Sequence, residues 1–271
     1  MRDLSKRLRG GDFRHAMEAV AALRLLDATA RASVVPSIDT RDEQRAFQLL
    51  VARLVAEGGV QGLAARWSEL PYPQWREMLL SEIGQAFHLW ADEGAIELLL
   101  AALDDPHDSV ARRAVGPLGC CLRDWPAKER KQMAKTLRGK SALEAWDRAA
   151  AWMTPALRAR IAEAATAALA RCADNPKALT WPDDYIELLG HSATRTDRRA
   201  IAVLEGFRKM AGETRRSEVE ALDRENLPWP ESMLAEKKGV TPRVRVWSKP
   251  TGLLDLKGLE EAIARIRRRE S

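Results

Sequence analysis

The sequence is poor in the residues that build sheets, covalent staples and catalytic clusters. Aromatic residues make up 6% of the 271, with two tyrosines and four phenylalanines, and runs of β-branched residues are scarce, so strands have little to be built from. Cys120, Cys121 and Cys172 are the only cysteines. They are too few and wrongly spaced for a disulfide framework or a Cys-x-x-Cys metal site, which points to a reducing compartment and a cytoplasmic location. The four histidines, His15, His88, His107 and His191, have no short-spaced partner, so no metal is expected. No apolar run approaches the ~18 residues of a membrane-spanning helix. Met1–Leu8 alternates charge with leucine where a signal peptide would carry an apolar segment. No Gly-x-Ser-x-Gly elbow or Cys/His pairing argues for nucleophilic catalysis. Gly139-Lys140-Ser141 is the tail of a phosphate-binding loop, but Ala134 stands where that loop needs its first glycine. It is read as a helix stop followed by a cap, and no cofactor is expected.

What the chain does have is alanine, leucine and charge. Apolar residues make up 46% and charged residues 31%, a globular balance far from that of disordered chains. The stretch from Ala56 to Leu122 reads as one unit written twice. A shift of 35 residues lays Ala56-Glu57-Gly58-Gly59 on Ala91-Asp92-Glu93-Gly94, Leu63 on Leu98, Pro71 on Pro106 and Trp75 on Val110. It also lays Leu79 on Ala114, Leu80 on Val115, Ile83 on Leu118, Gly84 on Gly119 and Phe87 on Leu122. Each copy reads as a helix (Val60 to Leu70; Ala95 to Leu103), a proline-containing turn, and a second helix (Gln74 to Trp90; Ser109 to Asp124). One such pair cannot bury its own apolar face, so it must stack on neighbours, which predicts an α-solenoid.

The segment from Gly94 to Gly119 resembles a HEAT repeat. The likeness lies in a leucine-rich first helix, the Asp104-Asp105-Pro106 turn, and a second helix with Val110-Ala111-Arg112-Arg113-Ala114 and a late Leu118-Gly119. Pro117 departs from that pattern and is expected to kink the second helix. The resemblance implies an all-α solenoid of stacked antiparallel helix pairs and a binding role, with the groove formed by the second helices. Arrays of this kind bind many different things.

Before the repeats, Asp3–Arg9 and Phe13–Leu26 are expected to form an opening helix pair, with Asp12 as N-cap and Met17, Val20, Ala21 and Leu25 as the buried stripe. A short helix over Ala28–Val35 follows. Asp39 or Thr40 is expected to cap a helix over Asp42–Ala56, with Phe47, Leu50 and Leu54 inward and Gly58-Gly59 ending it. After the repeats, helices are expected from Pro126 to Leu137, Ser141 to Met153 and Pro155 to Cys172. Pro176–Leu179, Asp183–Leu189, Thr196–Ala211 and Arg215–Asn226 continue the array, with Gly190 and Gly212 as stops. The helical array is thus assigned to 1–226. Residues 227–271 are read as an extended connector through Leu227-Pro228-Trp229-Pro230, a strand over Thr241–Trp247 forming an arm or a small hairpin, and a final amphipathic helix from Asp255 to Arg269.

Charge is distributed unevenly. From Glu236 to Ser271 there are ten basic and five acidic residues, which leaves 34 of each in the first 235. The array is neutral and the excess sits in the tail. Arg267, Arg268 and Arg269 are therefore candidates to meet nucleic acid or an acidic protein surface. Arg112, Arg113 and Arg148 are candidates to meet an acidic partner segment on the second helices. Nine tryptophans stand out among so few aromatics. Trp75 takes a core position of the repeat, whereas Trp125, Trp146 and Trp152 are candidates for stacking a base or anchoring a peptide.

A second resemblance bears on this. His107-Asp108-Ser109-Val110 is similar to part of the Trp-Asp-Ser-Val-Asp segment of the HEAT-like alkylpurine DNA glycosylases, and Trp146-Asp147-Arg148-Ala149-Ala150 is similar to their later Trp-x-x-Arg-Ala-Ala. It implies DNA binding, with His107 and Asp108 at the site. Ala111 stands where that family carries its catalytic Asp, and His107 replaces its Trp, so the family's chemistry is not expected. The leading expectation is a non-catalytic scaffold that binds a partner protein, and the alternative is a DNA-binding relative of those glycosylases.

Overall fold

Four aspartates open four helices in the same way. Asp12, Asp27, Asp42 and Asp92 each accept a hydrogen bond from the backbone N–H three residues on, at 3.0, 2.8, 2.8 and 3.0 Å, satisfying a donor the helix cannot satisfy itself. In the computed structural model, which describes residues 2–38, 40–122, 128, 131, 140–174, 182–210, 243–245 and 253–269, the chain forms two compact units, Met1–Thr154 and Pro155–Ser271. The described residues are all-α apart from turns and one short ladder, and none of their helices is long and apolar enough to cross a membrane.

The first unit contains α1 (Arg2–Leu8), α2 (Phe13–Leu23), α3 (Ala28–Val34), α4 (Glu43–Ala65), a 3-10 turn (Trp67–Glu69), α5 (Pro73–Gln85), α6 (Phe87–Trp90), α7 (Glu93–Leu103), α8 (Asp108–Cys121) and α9 (Lys140–Trp152). Helix α4 packs on α2, α3 and α7; α7 packs on α8; α5 packs on α8; and α9 rests on α6 and α8. The apolar residues matched by the 35-residue shift, Leu63 with Leu98, Leu79 with Ala114, Leu80 with Val115, Ile83 with Leu118 and Phe87 with Leu122, are buried in both copies. Burial of each leucine or isoleucine contributes about 1.5–3 kcal/mol.

Several boundaries differ from the sequence reading, each for a local reason. Asp42 caps α4, and Thr40 instead accepts from the N–H of Asp42 at 3.2 Å; Asp39 lies outside the described residues. Gly58-Gly59 does not end that helix. Gly59, at φ 67, kinks it, and helical bonding resumes to Ala65. A left-handed φ is open to glycine because it has no Cβ. Just beyond the kink α7 comes close, and it can do so because Gly94 has no side chain: a Cβ there would lie 2.7 Å from the backbone nitrogen of Gln61. The helix expected to run to Trp90 breaks at Ala86, giving α5 and α6. Leu25 is not part of a buried stripe. It falls beyond the end of α2 and is 77% exposed. Leu50 is half-buried, while its neighbours Leu49 and Val51 are buried. Pro117 lies inside α8 without ending it. Gly84 makes room for the proline ring, whose Cγ would be 3.2 Å from a Cβ added there.

The second unit contains α10 (Pro155–Asp174), α11 (Pro182–Ser192), α12 (residues 198–210), β1 (Arg243–Arg245), β2 (Leu253–Asp255) and α13 (Leu256–Arg268). Helix α11 packs on α10 and on α13. The strands pair antiparallel with Val244 opposite Leu254, and β2 lies against α11 and α13. Leu259, Ala262, Ile263 and Ile266 form the buried stripe of α13. Gly190 is not a helix stop. It is where α13 comes closest, and a Cβ there would sit 2.9 Å from that of Ala262. The expected helices at 176–179 and 215–226, the connector at 227–230 and the boundary at 226 lie outside the described residues, as does the helix at 126–137 apart from the helical Lys128 and Lys131.

Candidate interaction surface

The most ordered polar site is a buried one that sequence reasoning did not single out. Asp105, in the turn between α7 and α8, accepts from the indole N–H of Trp67 at 2.8 Å, from Arg76 Nη2 at 3.1 Å and from its neighbour His107's backbone N–H at 3.0 Å. Arg76 Nε lies 2.9 Å from the other carboxylate oxygen, with the two side chains 9% and 2% exposed. Arg76 Nη1 also donates to the Leu70 carbonyl. Both carboxylate oxygens are engaged, so this group holds structure and offers no acid or base. One sequence signal points to it. Arg76 occupies the inward stripe of α5 with Leu79, Leu80 and Ile83, where only a paired charge is tolerated.

The expected site residues fall in three places. On α8, Arg113 is exposed and pairs with Glu77 of α5 at 2.9 Å, and Arg112 is half-buried. At the head of α8, His107 is exposed and Asp108 half-buried, while Ala111 is buried among core residues. On α9, Arg148 is exposed and Trp152 half-buried. Trp146 is 1% exposed. Its ring lies flat on Phe87, with centroids 3.6 Å apart and planes at 8°, so it ties α9 to α6 as core packing. Trp125 lies outside the described residues. In the second unit, Arg267 meets Glu205 at 2.7 Å, the Arg268 Nε donates to the Ala264 carbonyl at 3.1 Å, and Arg269 Nη1 donates to the Ala193 carbonyl at 3.0 Å.

The outward side of α5 and α8 is mixed in character. Tyr72 and Met78 are two of the four large apolar side chains left exposed among the described residues, at 37% and 42%. Tyr72 sits between two prolines with φ 60, a left-handed conformation that costs a non-glycine residue about 1–3 kcal/mol. Gln74 and Gln85 are exposed beside them, and the Glu77–Arg113 pair bridges the two helices. Both signs of charge are present on this face, so it does not form a continuous positive groove.

Burial pushes the Cys121 thiol well above its ordinary value, the opposite of what a nucleophile needs. Among the described residues no group of three or more histidine, cysteine, aspartate or glutamate side chains is placed to hold a metal. No protein-family model, curated protein or solved structure matches the chain.

Proposed function

We propose that the chain is a non-catalytic, HEAT-like scaffold that holds a segment of a partner protein on the face formed by α5 and α8. The observation that carries the reading is the exposed Tyr72 and Met78 beside the Glu77–Arg113 pair. A rigid aromatic and an adaptable methionine flanked by charge of both signs suit a protein segment better than a phosphate backbone. The solenoid part of the proposal is supported by like packing on like. The part of α4 beyond Gly59 and α7 are the first helices of consecutive pairs, and α4 packs on α7; α5 and α8 are the second helices, and they pack on each other. Asp105 of the later pair is bonded to Arg76 of the earlier one, a link between neighbouring units of the kind a stacked array requires.

Site-specific photocrosslinking tests this in the source cells. A crosslinker placed at Met78 is expected to trap a discrete adduct that Arg113→Glu abolishes, while one placed at the exposed Arg53 of α4 traps none. No adduct from position 78, or the same adducts from both positions, would overturn the proposal. We do not extend it to base excision, because Ala111 occupies the position of the acid in the glycosylases that the sequence resembles, and it is buried. Release of 3-methyladenine from alkylated DNA is expected to be nil.

A further inference from the structure

The second unit gathers arginines from two distant parts of the chain. The turn before α12 is held by Asp197, whose carboxylate accepts from the backbone N–H and the hydroxyl of Thr194 at 2.6 and 3.1 Å. That turn is joined to the end of α13 by a reciprocal pair of bonds. The N–H of Arg195 donates to the Arg269 carbonyl at 3.2 Å, and Arg269 Nη1 donates to the Ala193 carbonyl at 3.0 Å. Arg195 in the turn, Arg198 and Arg199 at the start of α12, and Arg268 at the end of α13 are thereby brought to one end of the unit, all four exposed.

Their charge is not neutralised locally. Asp197 is committed to the turn, and Glu205 is taken by Arg267 and Arg208, while no carboxylate of the described residues lies within ion-pair distance of these four arginines. Arg198 and Arg199 also stand in the first turn of a helix, where the unbonded N–H groups already make the potential positive. Exposed like charges gathered at one end of the unit cost folding little in water, but together with the helix dipole they favour an anion there.

We infer that this end of the second unit is a docking surface for the phosphodiester backbone of a nucleic-acid duplex. The guanidinium fork fits phosphate oxygens two at a time. The exposed large apolar residues among those described, Leu25, Ile38, Tyr72 and Met78, all belong to the first unit. Among the described residues the arginine cluster therefore has no apolar anchor of the kind found at a protein hot spot or on an inserted membrane helix. Among the described residues it also has no exposed aromatic ring on which unpaired bases could stack. Contacts to backbone phosphates need neither, and they bind without regard to sequence. This surface is independent of the α5–α8 face, and each stands or falls alone.

The test is fluorescence anisotropy of the full chain with a labelled duplex DNA of about 20 base pairs, titrated at several salt concentrations. Each phosphate neutralised contributes about −0.9 to the slope of log affinity against log salt, so four contacts give about −3.6. Replacing Arg195, Arg198, Arg199 and Arg268 together by Gln is expected to bring the slope near zero and to weaken binding on the order of 100-fold or more at low salt. Circular dichroism checks that the helices persist. Arg198→Gln with Arg199→Gln serves as the milder variant and is expected to halve the slope, whereas Arg14→Gln with Arg53→Gln in the first unit leaves it unchanged. Failure of the wild type to bind duplex at low salt overturns the inference, and so does binding that neither variant alters. Tighter binding of polyglutamate, of phosphatidylserine vesicles or of single-stranded DNA than of the duplex overturns it as well.

Discussion

The two units use charge in opposite ways. In the first, the decisive carboxylate is Asp105, buried and bonded to Trp67, Arg76 and the His107 backbone. In the second, the conspicuous charges are the exposed Arg195, Arg198, Arg199 and Arg268, none of which forms an ion pair among the described residues. A buried charge enforces one geometry, because losing a partner leaves it desolvated and uncompensated. An exposed cation keeps its water and contributes little to folding. Stability is therefore expected to depend on the buried pair far more than on the exposed arginines.

Breaking the buried set has the largest expected effect. Arg76→Met strands Asp105 and is expected to cost about 3–5 kcal/mol, read from urea denaturation, with Asp105→Leu in the same chain recovering part of the loss. A cost below about 1 kcal/mol would erase the distinction between the units. In the second unit the sensitive point is packing. Gly190→Val drives a side chain into Ala262 of α13 and is expected to cost at least about 1–3 kcal/mol, measured by thermal unfolding. Next in size is a cap common to the first unit's helices. Asp42→Ala is expected to cost about 1 kcal/mol, and Asp42→Asn much less, because the amide oxygen still accepts from the Arg45 N–H.

The smallest effects lie at the surface. Arg198→Gln with Arg199→Gln is expected to shift stability by less than about 0.5 kcal/mol, so a large loss on denaturation would show these arginines to be structural. The other exposed case has a pH signature. The hydrogen bond from the His15 backbone N–H holds the Asp12 carboxyl below its ordinary 3.8. A carboxylate with a depressed folded value stabilises above the unfolded value and loses that contribution as pH falls through the folded one. The stability difference between wild type and Asp12→Ala is thus expected to be constant at neutral pH and to shrink only below about pH 4, as read from urea midpoints at a series of pH values.

Local features were the legible ones. The starts of α2 at Asp12 and of α10 at Pro155 follow from residues within a turn of the boundary, and the burial of Leu63, Leu98, Ile83 and Leu118 follows from a period visible in the chain. What could not be read depends on partners far away in sequence. Gly190 looks like a helix stop until α13 is seen against it. Trp146 looks available for binding until Phe87 is seen on its face. Arg113 looks unpaired until Glu77 is seen across from it. Of the candidate surface, the sequence pointed to α8 and the tail arginines, and it missed Tyr72, Met78 and the arginines at 195–199.

Helical periodicity and caps are short-range physics, written in neighbouring residues, and they determined that the described chain is a succession of amphipathic helices, while composition placed its surplus positive charge near the C-terminus. Which charges are buried and which stay in water was decided only when the helices packed. Desolvation depends on what lies across an interface, and Asp105 and Arg76, or Arg195 and Arg268, become neighbours only in the folded chain.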